Sequence, residues 1–340
     1  EMRSIRGCVD DGEVWCVENN VVERAKCVSA RRQHGVVVSA GGKLENKLNG
    51  PEHIKLPVVS KNPLSVIAAS LMLAREIKKR KCQLLHAHSR VPGYAAWLAS
   101  KLTGTPWVYS AQACYSHNLG IYPLKKADYL ICVSDTVREH LKDYLPPNNC
   151  VILDGAPEVE ERWKPEDDGI VKFIFVGRLT KIKGLHTVIR ALSQLKVSAP
   201  WRLDVLGDGP QMEELKALAQ SLGVGEKIIF HGFMNNPHEW IAKSDCLLFP
   251  STTEGMPLVL SQALQIGIPV ISSDIPSVRE VLPHGCLIKP ENPEAWAAAI
   301  DEYIKSGQHS YDEIPDIQTF TKMACAIEEL YYRVLGLEDR

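Results

Sequence analysis

Phe173-Ile-Phe-Val-Gly-Arg-Leu-Thr-Lys-Ile-Lys-Gly184 is the stretch that decides the fold of this chain. An apolar run ending at Val176 predicts a buried strand, and Gly177 permits a tight turn before a helix. Arg178 and Lys183 bracket the loop between them, at the sheet edge where α/β proteins bind ligands. Two cations beside a helix N-terminus suit a diphosphate, although two solvated surface cations explain the pair alone equally well.

The same alternation of apolar strands and helices extends along the whole chain. It favours parallel sheets covered on both faces, so the predicted fold class is α/β with doubly wound, Rossmann-like sheets. We predict strands at Gly35–Ser39, Leu84–Ala87, Trp107–Ser110, Tyr129–Val133, Lys172–Val176, Arg202–Leu206, Lys227–Phe230, Cys246–Phe249 and Pro269–Ser272. We predict helices at Pro63–Lys81, Gly93–Leu102, Thr136–Tyr144, Gly184–Leu195, Pro210–Leu222, Pro257–Ile266, Pro293–Ile304 and Phe320–Leu335.

The length of 340 residues favours two domains over a single core. Residues 154–170 are acidic, contain proline and glycine and hold few apolar residues, so we interpret them as a linker. We predict an N-terminal domain over residues 1–160 and a C-terminal domain over residues 161–310. A final segment, residues 311–340, is expected to cross back to the N-terminal domain. Residues 1–9 lack the apolar core that a signal peptide would have, and we expect no convincing first strand there.

Two further motifs follow predicted strands in the second half. In Leu203-Asp-Val-Leu-Gly-Asp-Gly-Pro210, Gly207 and Gly209 would let a ring or a phosphate approach the backbone, although a structural turn is the better reading of this motif alone. In His231-Gly-Phe233, the backbone around Gly232 could read the edge of a base, and a lone His231 is more often structural than catalytic. Both motifs are candidates for donor binding.

The fourth motif, Pro250-Ser-Thr-Thr-Glu-Gly-Met-Pro-Leu-Val-Leu-Ser-Gln262, joins a strand to a helix. Glu254 lies in the turn, where its carboxylate can accept hydrogen bonds from sugar hydroxyls. Gln262 lies one to two turns inside the helix and could reach a ribose hydroxyl. The residues of the helix N-terminus, where backbone amides favour phosphate, are Gly255, Met256, Pro257 and Leu258.

These four motifs, in this order, resemble the donor domain of family-4 retaining glycosyltransferases, densely over residues 171–283. The resemblance implies a GT-B fold, in which two Rossmann-like domains face a cleft, and a hexosyltransferase-type activity that retains anomeric configuration. It also implies that Arg178 and Lys183 hold the diphosphate of a nucleotide-sugar donor, expected to be a UDP-sugar, while Glu254 contacts the transferred sugar. Where the family has a second glutamate that grips the ribose, this chain has Gln262, which lacks the charge.

The first half resembles the same family, especially members similar to lipopolysaccharide-core glycosyltransferases. The matching stretches are Val37-Val-Ser-Ala-Gly-Gly42, Ser60-Lys-Asn-Pro-Leu64, Leu85-His-Ala-His-Ser-Arg90 and Tyr115-Ser-His-Asn118. Each lies at or just after a predicted strand end, where a glycan or lipid-linked acceptor would bind. The candidate acceptor-binding residues are His88, Arg90 and Tyr115.

Two positions of the first half depart from the family pattern. Asn20-Val-Val-Glu23 stands where the family has a Gly-Gly-Val-Glu loop, and a valine would hinder the approach of a phosphate. Gln112 stands where the family often has a histidine that shapes the transition state; we keep Gln112 as a catalytic candidate with Arg178, Lys183 and Glu254, although an amide transfers no proton. Two alternatives therefore stay open: a relic that binds nucleotide or carbohydrate without turnover, and a sugar-nucleotide epimerase of the same architecture.

Composition bears on location and partners. The ten cysteines are scattered without a CxxC pair, which is typical of reduced core cysteines and predicts a cytoplasmic protein. The helix at Pro63–Lys81 ends in a run of cations; the helix dipole explains them, and peripheral contact with an anionic membrane is the sharper alternative. We predict no cofactor or metal, because no DxD-like pair is present and His86 and His88 lack a third ligand nearby. We also expect no nucleic-acid partner.

Overall fold

The computed structural model describes residues 8–9, 36–41, 52–58, 60, 62–166, 168–282, 286–306 and 317–337. The chain divides into two compact units. The first unit comprises Glu1–Gly155 and Gln318–Arg340, and the second comprises Ala156–Ile317. These boundaries differ by a few residues from the predicted ones, which lie after residues 160 and 310.

The first unit contains a seven-stranded sheet in the order β3-β2-β1-β4-β5-β6-β7, with every neighbouring pair parallel. Its strands are β1 (Cys8–Val9), β2 (Val36–Ser39), β3 (Glu52–Lys55), β4 (Leu85–Ala87), β5 (Trp107–Ala111), β6 (Tyr129–Cys132) and β7 (Asn149–Val151). Helices α1 (Pro63–Arg80), α2 (Arg90–Thr103) and α3 (Asp135–His140) belong to the same unit, with 3-10 turns at Leu119–Lys126 and Lys142–Tyr144. Across the described ranges, none of the helices has the length and apolar character that would carry it through a bilayer.

The second unit contains a six-stranded sheet in the order β10-β9-β8-β11-β12-β13, again with parallel neighbours. Its strands are β8 (Val171–Val176), β9 (Trp201–Leu206), β10 (Ile228–Gly232), β11 (Cys246–Phe249), β12 (Val270–Ser273) and β13 (Cys286–Ile288). Its helices are α4 (Leu185–Leu192), α5 (Met212–Ser221), α6 (Pro237–Lys243), α7 (Leu258–Ile266), α8 (Pro276–Arg279) and α9 (Pro293–Ser306), with 3-10 turns at Lys181–Lys183 and Gly225–Lys227. The sheet lies between two apolar cores. The predicted doubly wound α/β class is confirmed.

Helix α10 (Phe320–Val334) packs on the sheet of the first unit. Its apolar residues recur at helical spacing and form one buried stripe: Met323, Ile327, Leu330 and Tyr331. This stripe shares a core with Leu84, with Val108 of β5 and with Ile131 of β6. The chain therefore returns to the first unit after it has completed the second.

Most of the predicted linker, residues 154–170, is part of the second unit, which corrects that interpretation. Trp163 donates its indole N–H to the carbonyl of Ser244 at 2.9 Å and its backbone N–H to the carbonyl of Ile266 at 2.8 Å. The side chain of Gln265 accepts from the N–H of Val159 at 3.2 Å and donates to the carbonyl of Pro157 at 3.0 Å. The acidic composition of this segment gave no indication of the contacts that hold Trp163 and Val159 on the second unit.

The structure also contains short elements that the sequence pattern did not predict. The expectation of no convincing first strand is wrong, because Cys8–Val9 pairs with both β2 and β4 at the centre of the sheet. The other unpredicted strands and helices are β3, β7, β13, α6 and α8.

Candidate functional site

The loops that follow β8 and β11 are fastened to each other at the carboxyl edge of the second sheet. Thr252 donates its backbone N–H to the carbonyl of Ile182 at 2.8 Å. Gly184 has a φ of 69°, and a Cβ there would collide with the carbonyl oxygen of Pro250. Glycine alone satisfies both the left-handed backbone and the close approach, so the last glycine of the first motif joins the two loops.

The Gly-rich turn after β9 lies against the loop after β8. Gly207 has a φ of 146°, and a Cβ on it would collide with the carbonyl oxygen of Gly177. A Cβ on Gly209 would likewise collide with the backbone of Leu179. Gly207 also donates its N–H to the carbonyl of Gly232 at 2.7 Å. This hydrogen bond joins the end of β10 to the Gly-rich turn. Gly177 lies at the bend directly after β8, as predicted, whereas the glycines of this rim with a positive φ are Gly184, Gly207 and Gly232.

Lys183 and Glu254 meet where the loops after β8 and β11 join. The ammonium of Lys183 donates to Oε1 of Glu254 at 2.6 Å. The two side chains are 22% and 11% exposed, so the ion pair is partly sheltered from solvent. The backbone contacts of both loops hold the pair in place. The cation that is expected to bind diphosphate is thus in direct contact with the carboxylate that is expected to bind sugar. Both roles stay predictions.

Two exposed side chains lie on the same rim of loops. Arg178 follows the turn after β8 and is exposed, so its guanidinium is accessible to an anion. Phe233 follows β10 and is 42% exposed. Together with the Lys183–Glu254 pair, they give the carboxyl edge an exposed cation, a cation paired with a carboxylate, and an exposed aromatic ring.

The segment after Glu254 leads directly into α7. Gly255 and Pro257 are buried, whereas Met256 and Leu258 are half-buried. Leu258 donates its backbone N–H to the carbonyl of Met256 at 3.1 Å, so this amide would have to leave its partner before it could bind phosphate. Gln262 lies half-buried on the second turn of α7.

A polar network around the buried carboxylate of Asp204 supports His231 and was missed by the sequence interpretation. Nε2 of His231 lies 2.7 Å from Oδ1 of Asp204, and Nε of Arg202 donates to Oδ2 of the same carboxylate at 3.0 Å. The ring of Trp240 packs on the imidazole, with 4.4 Å between centroids. The available signal was a carboxylate inside an apolar strand, which requires a partner when the strand is buried.

In the first unit, Arg90, Tyr115 and Gln112 lie together beyond β4 and β5. The guanidinium of Arg90 lies 5.4 Å from the ring centroid of Tyr115. The hydroxyl of Tyr115 accepts the backbone N–H of Gln112 at 3.2 Å, and its carbonyl lies 2.8 Å from Nε2 of His140. Nε2 of Gln112 is buried and has no hydrogen-bond partner within the described ranges. Two predicted acceptor residues and one catalytic candidate therefore share one site.

His88 does not lie on this accessible surface. It is 0% exposed, and its ring stacks on His86 with 4.1 Å between centroids. His86 is held in turn by the hydroxyl of Tyr331 at 2.5 Å and that of Ser110 at 2.8 Å. An acceptor could contact His88 only if this ring became exposed, whereas Arg90 is exposed already.

One group of side chains in the described part of the chain could gather around a cation. The ligand atoms of Glu161, His238 and Glu239 lie within 4.8 Å of one another. None of the three is buried, and His238 already pairs with Glu161 at 3.3 Å. The predicted absence of a metal stays a prediction. The segment Asn20–Glu23 and Gly42 lie outside the described residues.

Both halves of the chain match glycosyltransferase models. Residues 17–154 match Glycosyltransferase Family 4, and residues 158–314 match Glycosyl transferases group 1. The chain belongs to glycosyltransferase family 4.

Its relatives include enzymes of surface-glycan synthesis. The lipopolysaccharide 1,6-galactosyltransferase of Escherichia coli K12 is 32% identical over 178 residues, which cover 49% of this chain and 46% of that protein. The O-antigen biosynthesis glycosyltransferase WclY of Escherichia coli is 31% identical over 48% of this chain and 47% of its own length.

The chain therefore spans about half the length of these curated relatives. Solved structures extend the likeness of fold to nearly the whole chain. The glycosyltransferase of Rickettsia africae ESF-5 superposes with a TM-score of 0.85 at 20% identity, over 98% of this chain and 99% of that one. Anabaena Alr3699/HepE, in complex with UDP and glucose, superposes with a TM-score of 0.76 at 18% identity, over 98% and 97%. The family-4 chain thus has the two-domain GT-B fold.

Proposed function

We propose that this family-4 chain is a retaining hexosyltransferase that uses a nucleotide-diphosphate sugar, with a UDP-sugar favoured. Its acceptor is a glycan or glycolipid of the cell envelope, such as a lipopolysaccharide core. The observation that carries the proposal is the pair formed by Lys183 and Glu254, 2.6 Å apart on loops that backbone contacts hold together. Support comes from relatives that are named as lipopolysaccharide and O-antigen glycosyltransferases.

The donor chemistry follows from the charges on this edge. Departure of a nucleoside diphosphate builds negative charge on the leaving oxygens, and fixed cations stabilise that charge. Arg178 and Lys183 supply the cations in our proposal, without a metal ion. Glu254 accepts hydrogen bonds from the hydroxyls of the transferred sugar and so orients the anomeric carbon.

The acceptor chemistry belongs to the first unit in this proposal. Arg90 offers a guanidinium to a phosphate or carboxylate of the acceptor, and the ring of Tyr115 supports it from one side. Gln112 brings an amide donor that lacks a partner within the described residues. Such a donor can hold a hydroxyl or a phosphate oxygen, but it cannot move a proton at neutral pH.

The test is calorimetric titration with UDP, GDP, ADP and CDP in the presence of a chelator. We expect one nucleotide to bind best. Its affinity should fall about 100-fold in the double variant Arg178→Ala/Lys183→Ala, because two charge-assisted hydrogen bonds are lost. Lys216→Ala is the matched control, since Lys216 is an exposed cation of the same unit that pairs with Glu213 on the surface. Equal binding by the double variant and the wild type would refute the proposed donor site.

Turnover separates the enzyme from its alternatives. A retaining transferase should move sugar from the preferred nucleotide-sugar to a lipopolysaccharide-core acceptor. The anomeric configuration of the new glycosidic bond should be the same as that of the donor. Nucleotide release without any acceptor would favour an epimerase. Binding without turnover would favour the relic that Gln112 and Gln262 suggest. NMR of the product's anomeric proton reads the configuration directly.

We place the protein in the cytoplasm, peripheral at the inner face of the plasma membrane. The outer face of α1 supports this part of the proposal. Leu64, Ile67, Leu71 and Met72 are between 45% and 75% exposed. The exposed residues of α1 after Met72 are cationic: Arg75, Lys78 and Lys79. Glu76 is the only acidic residue in the sequence from 62 to 127. Such a surface suits anionic lipid headgroups, with apolar side chains at the acyl boundary.

Vesicle sedimentation tests the membrane contact. The protein should partition onto vesicles that contain phosphatidylglycerol and not onto pure phosphatidylcholine. The triple variant Arg75→Gln/Lys78→Gln/Lys79→Gln should bind more weakly by about fivefold for each cation lost. Lys216→Gln serves as the control on the second unit. Equal binding of the triple variant and the wild type would exclude α1 as the contact surface.

A further inference from the structure

Asp204 is a buried carboxylate in an otherwise apolar part of β9. It is 2% exposed and lies in register with Ile229 of the neighbouring strand. Leu206, two residues further along the strand and therefore on the same face, belongs to an apolar core of the unit. A charged group in such a place is costly unless it is fully hydrogen-bonded. The hydrogen-bond partners of Asp204 therefore indicate which part of the structure the buried carboxylate holds in position.

Both oxygens of Asp204 are engaged. Oδ2 accepts from Nε of Arg202 at 3.0 Å and lies 2.9 Å from Nη2 of the same guanidinium, as an ion pair. Oδ1 lies 2.7 Å from Nε2 of His231, which must carry the hydrogen because an ionised carboxylate only accepts. The ring of Trp240 lies against the imidazole. His231 is thus bonded to a carboxylate at its edge and packed against a tilted indole ring.

His231 is the extra residue of a bulge at the end of β10. The pairing with β9 skips from Phe230 to Gly232, which leaves His231 outside the ladder and free to bond Asp204. A bulge redirects the residues that follow it. Gly232 then has a φ of 70°, and its carbonyl accepts the N–H of Gly207 at 2.7 Å. The anchor of His231 therefore fixes the strand end that leads into the candidate donor site.

We propose that Asp204 is a positioning residue for a nucleobase subsite formed by Gly232 and Phe233, and that it thereby controls discrimination between bases. The inference rests on the proposed function. A backbone can read a base edge only from a fixed position, and the exposed ring of Phe233 offers a face on which a base can stack. The cations proposed for the diphosphate, Arg178 and Lys183, lie on a different loop. Loss of Asp204 should therefore impair base recognition more than diphosphate binding.

The experiment compares the affinities for UDP, GDP, ADP and CDP in wild type and Asp204→Asn. The amide of the variant puts an NH₂ group where Arg202 or His231 needs an acceptor. The affinity for the preferred nucleotide should fall about tenfold or more, whereas the three weaker affinities stay within about twofold. Trp240→Leu removes the other support of His231 and should flatten the preference in the same way. It also carries the test if Asp204→Asn does not fold.

The matched control is Asp301→Asn. Asp301 is also a buried carboxylate of this unit, at 6% exposure, but it accepts the backbone N–H groups of Lys196 and Val197. This variant should lose thermal stability and keep the base preference. If Asp204→Asn and Trp240→Leu both fold and keep the wild-type preference, the inference is overturned while the proposed function stands. If the wild type binds none of the four nucleotides, the proposed function fails and the inference fails with it.

Discussion

At the scale of single residues, the contact between Lys183 and Glu254 sets their two expected roles in competition. A diphosphate must draw the ammonium of Lys183 away from the carboxylate that holds it at 2.6 Å. Glu254→Gln should therefore tighten the binding of UDP, by up to about fivefold for a partly sheltered pair. The same variant should lower kcat for sugar transfer by about tenfold or more, because the amide of the variant binds the sugar hydroxyls in the transition state more weakly than the carboxylate of the wild type. Calorimetry and initial rates measure the two effects separately.

The control for this variant is Glu166→Gln, which removes a carboxylate from another lysine pair of the same unit. It should change neither UDP affinity nor kcat. Weaker binding of UDP by Glu254→Gln would contradict the competition. It would mean that Lys183 bridges carboxylate and phosphate at once, and that Glu254 assists diphosphate binding by orienting the ammonium.

Residue identities were predictable from the sequence where a motif fixes both members of a contact. Lys183 and Glu254 belong to two motifs of one resemblance, and the structure places them side by side. The bond between Asp204 and His231 was not predictable, because it depends on a bulge that changes the register of two strands. The hydrogen bond between Tyr331 and His86 also depends on tertiary structure, because the two residues lie 245 positions apart in the sequence.

At the scale of secondary-structure elements, the acidic segment before β8 is held by the first residues of that strand. Lys172 is buried and pairs with Glu166 and Asp168, both at 2.7 Å. Burial opposes its charge, but hydrogen bonds to the two carboxylates outweigh burial and raise the pKa of Lys172. The hydrogen bond from Lys172 lowers the pKa of both carboxyl groups below their ordinary values of 4.5 and 3.8.

Lys172→Met should therefore change the acid dependence of stability more than stability itself. A carboxyl group with a lowered folded-state pKa stabilises the fold above its unfolded pKa, and this contribution is lost as the pH falls through the folded value. The wild type should lose stability below pH 4.5 more steeply than the variant. At neutral pH the two should be close, because methionine fits the buried site and the carboxylates stay solvated. Urea unfolding between pH 7 and 3 tests this, and parallel curves would contradict it.

Elements with a buried apolar run were predictable, and short or polar ones were not. The strands β8, β9 and β11 lie within a residue or two of their predicted limits. In contrast, β3 reads Glu-His-Ile-Lys and β7 reads Asn-Cys-Val. These two strands form the outer edges of the first sheet. An edge strand is fixed by pairing with one neighbour, which a local pattern of hydrophobicity does not encode.

At the scale of the whole molecule, the path of the chain makes the first unit depend on the last residues. The first unit is interrupted after Gly155 and resumes at Gln318. Within the described residues, α10 supplies four buried side chains to the core that includes Leu84 and Val108. Each such side chain contributes about 2–5 kcal/mol to stability, and a whole domain is stable by only about 5–15 kcal/mol. A chain that ends at Ile317 should therefore lose the folded first unit.

The second unit should survive this truncation, because Ala156–Ile317 contains its complete sheet and every residue proposed to bind the donor. Hydrogen exchange should find rapid exchange in β4–β6 and continued protection in β8–β11, while UDP affinity stays within about tenfold of the wild type. Glu329→Gln, an exposed change on the same helix, should leave both patterns intact. Loss of UDP binding together with preserved protection of β8–β11 would mean that the first unit contributes essential contacts to the donor nucleotide. Phosphate-facing residues would then have to be sought in the first unit as well.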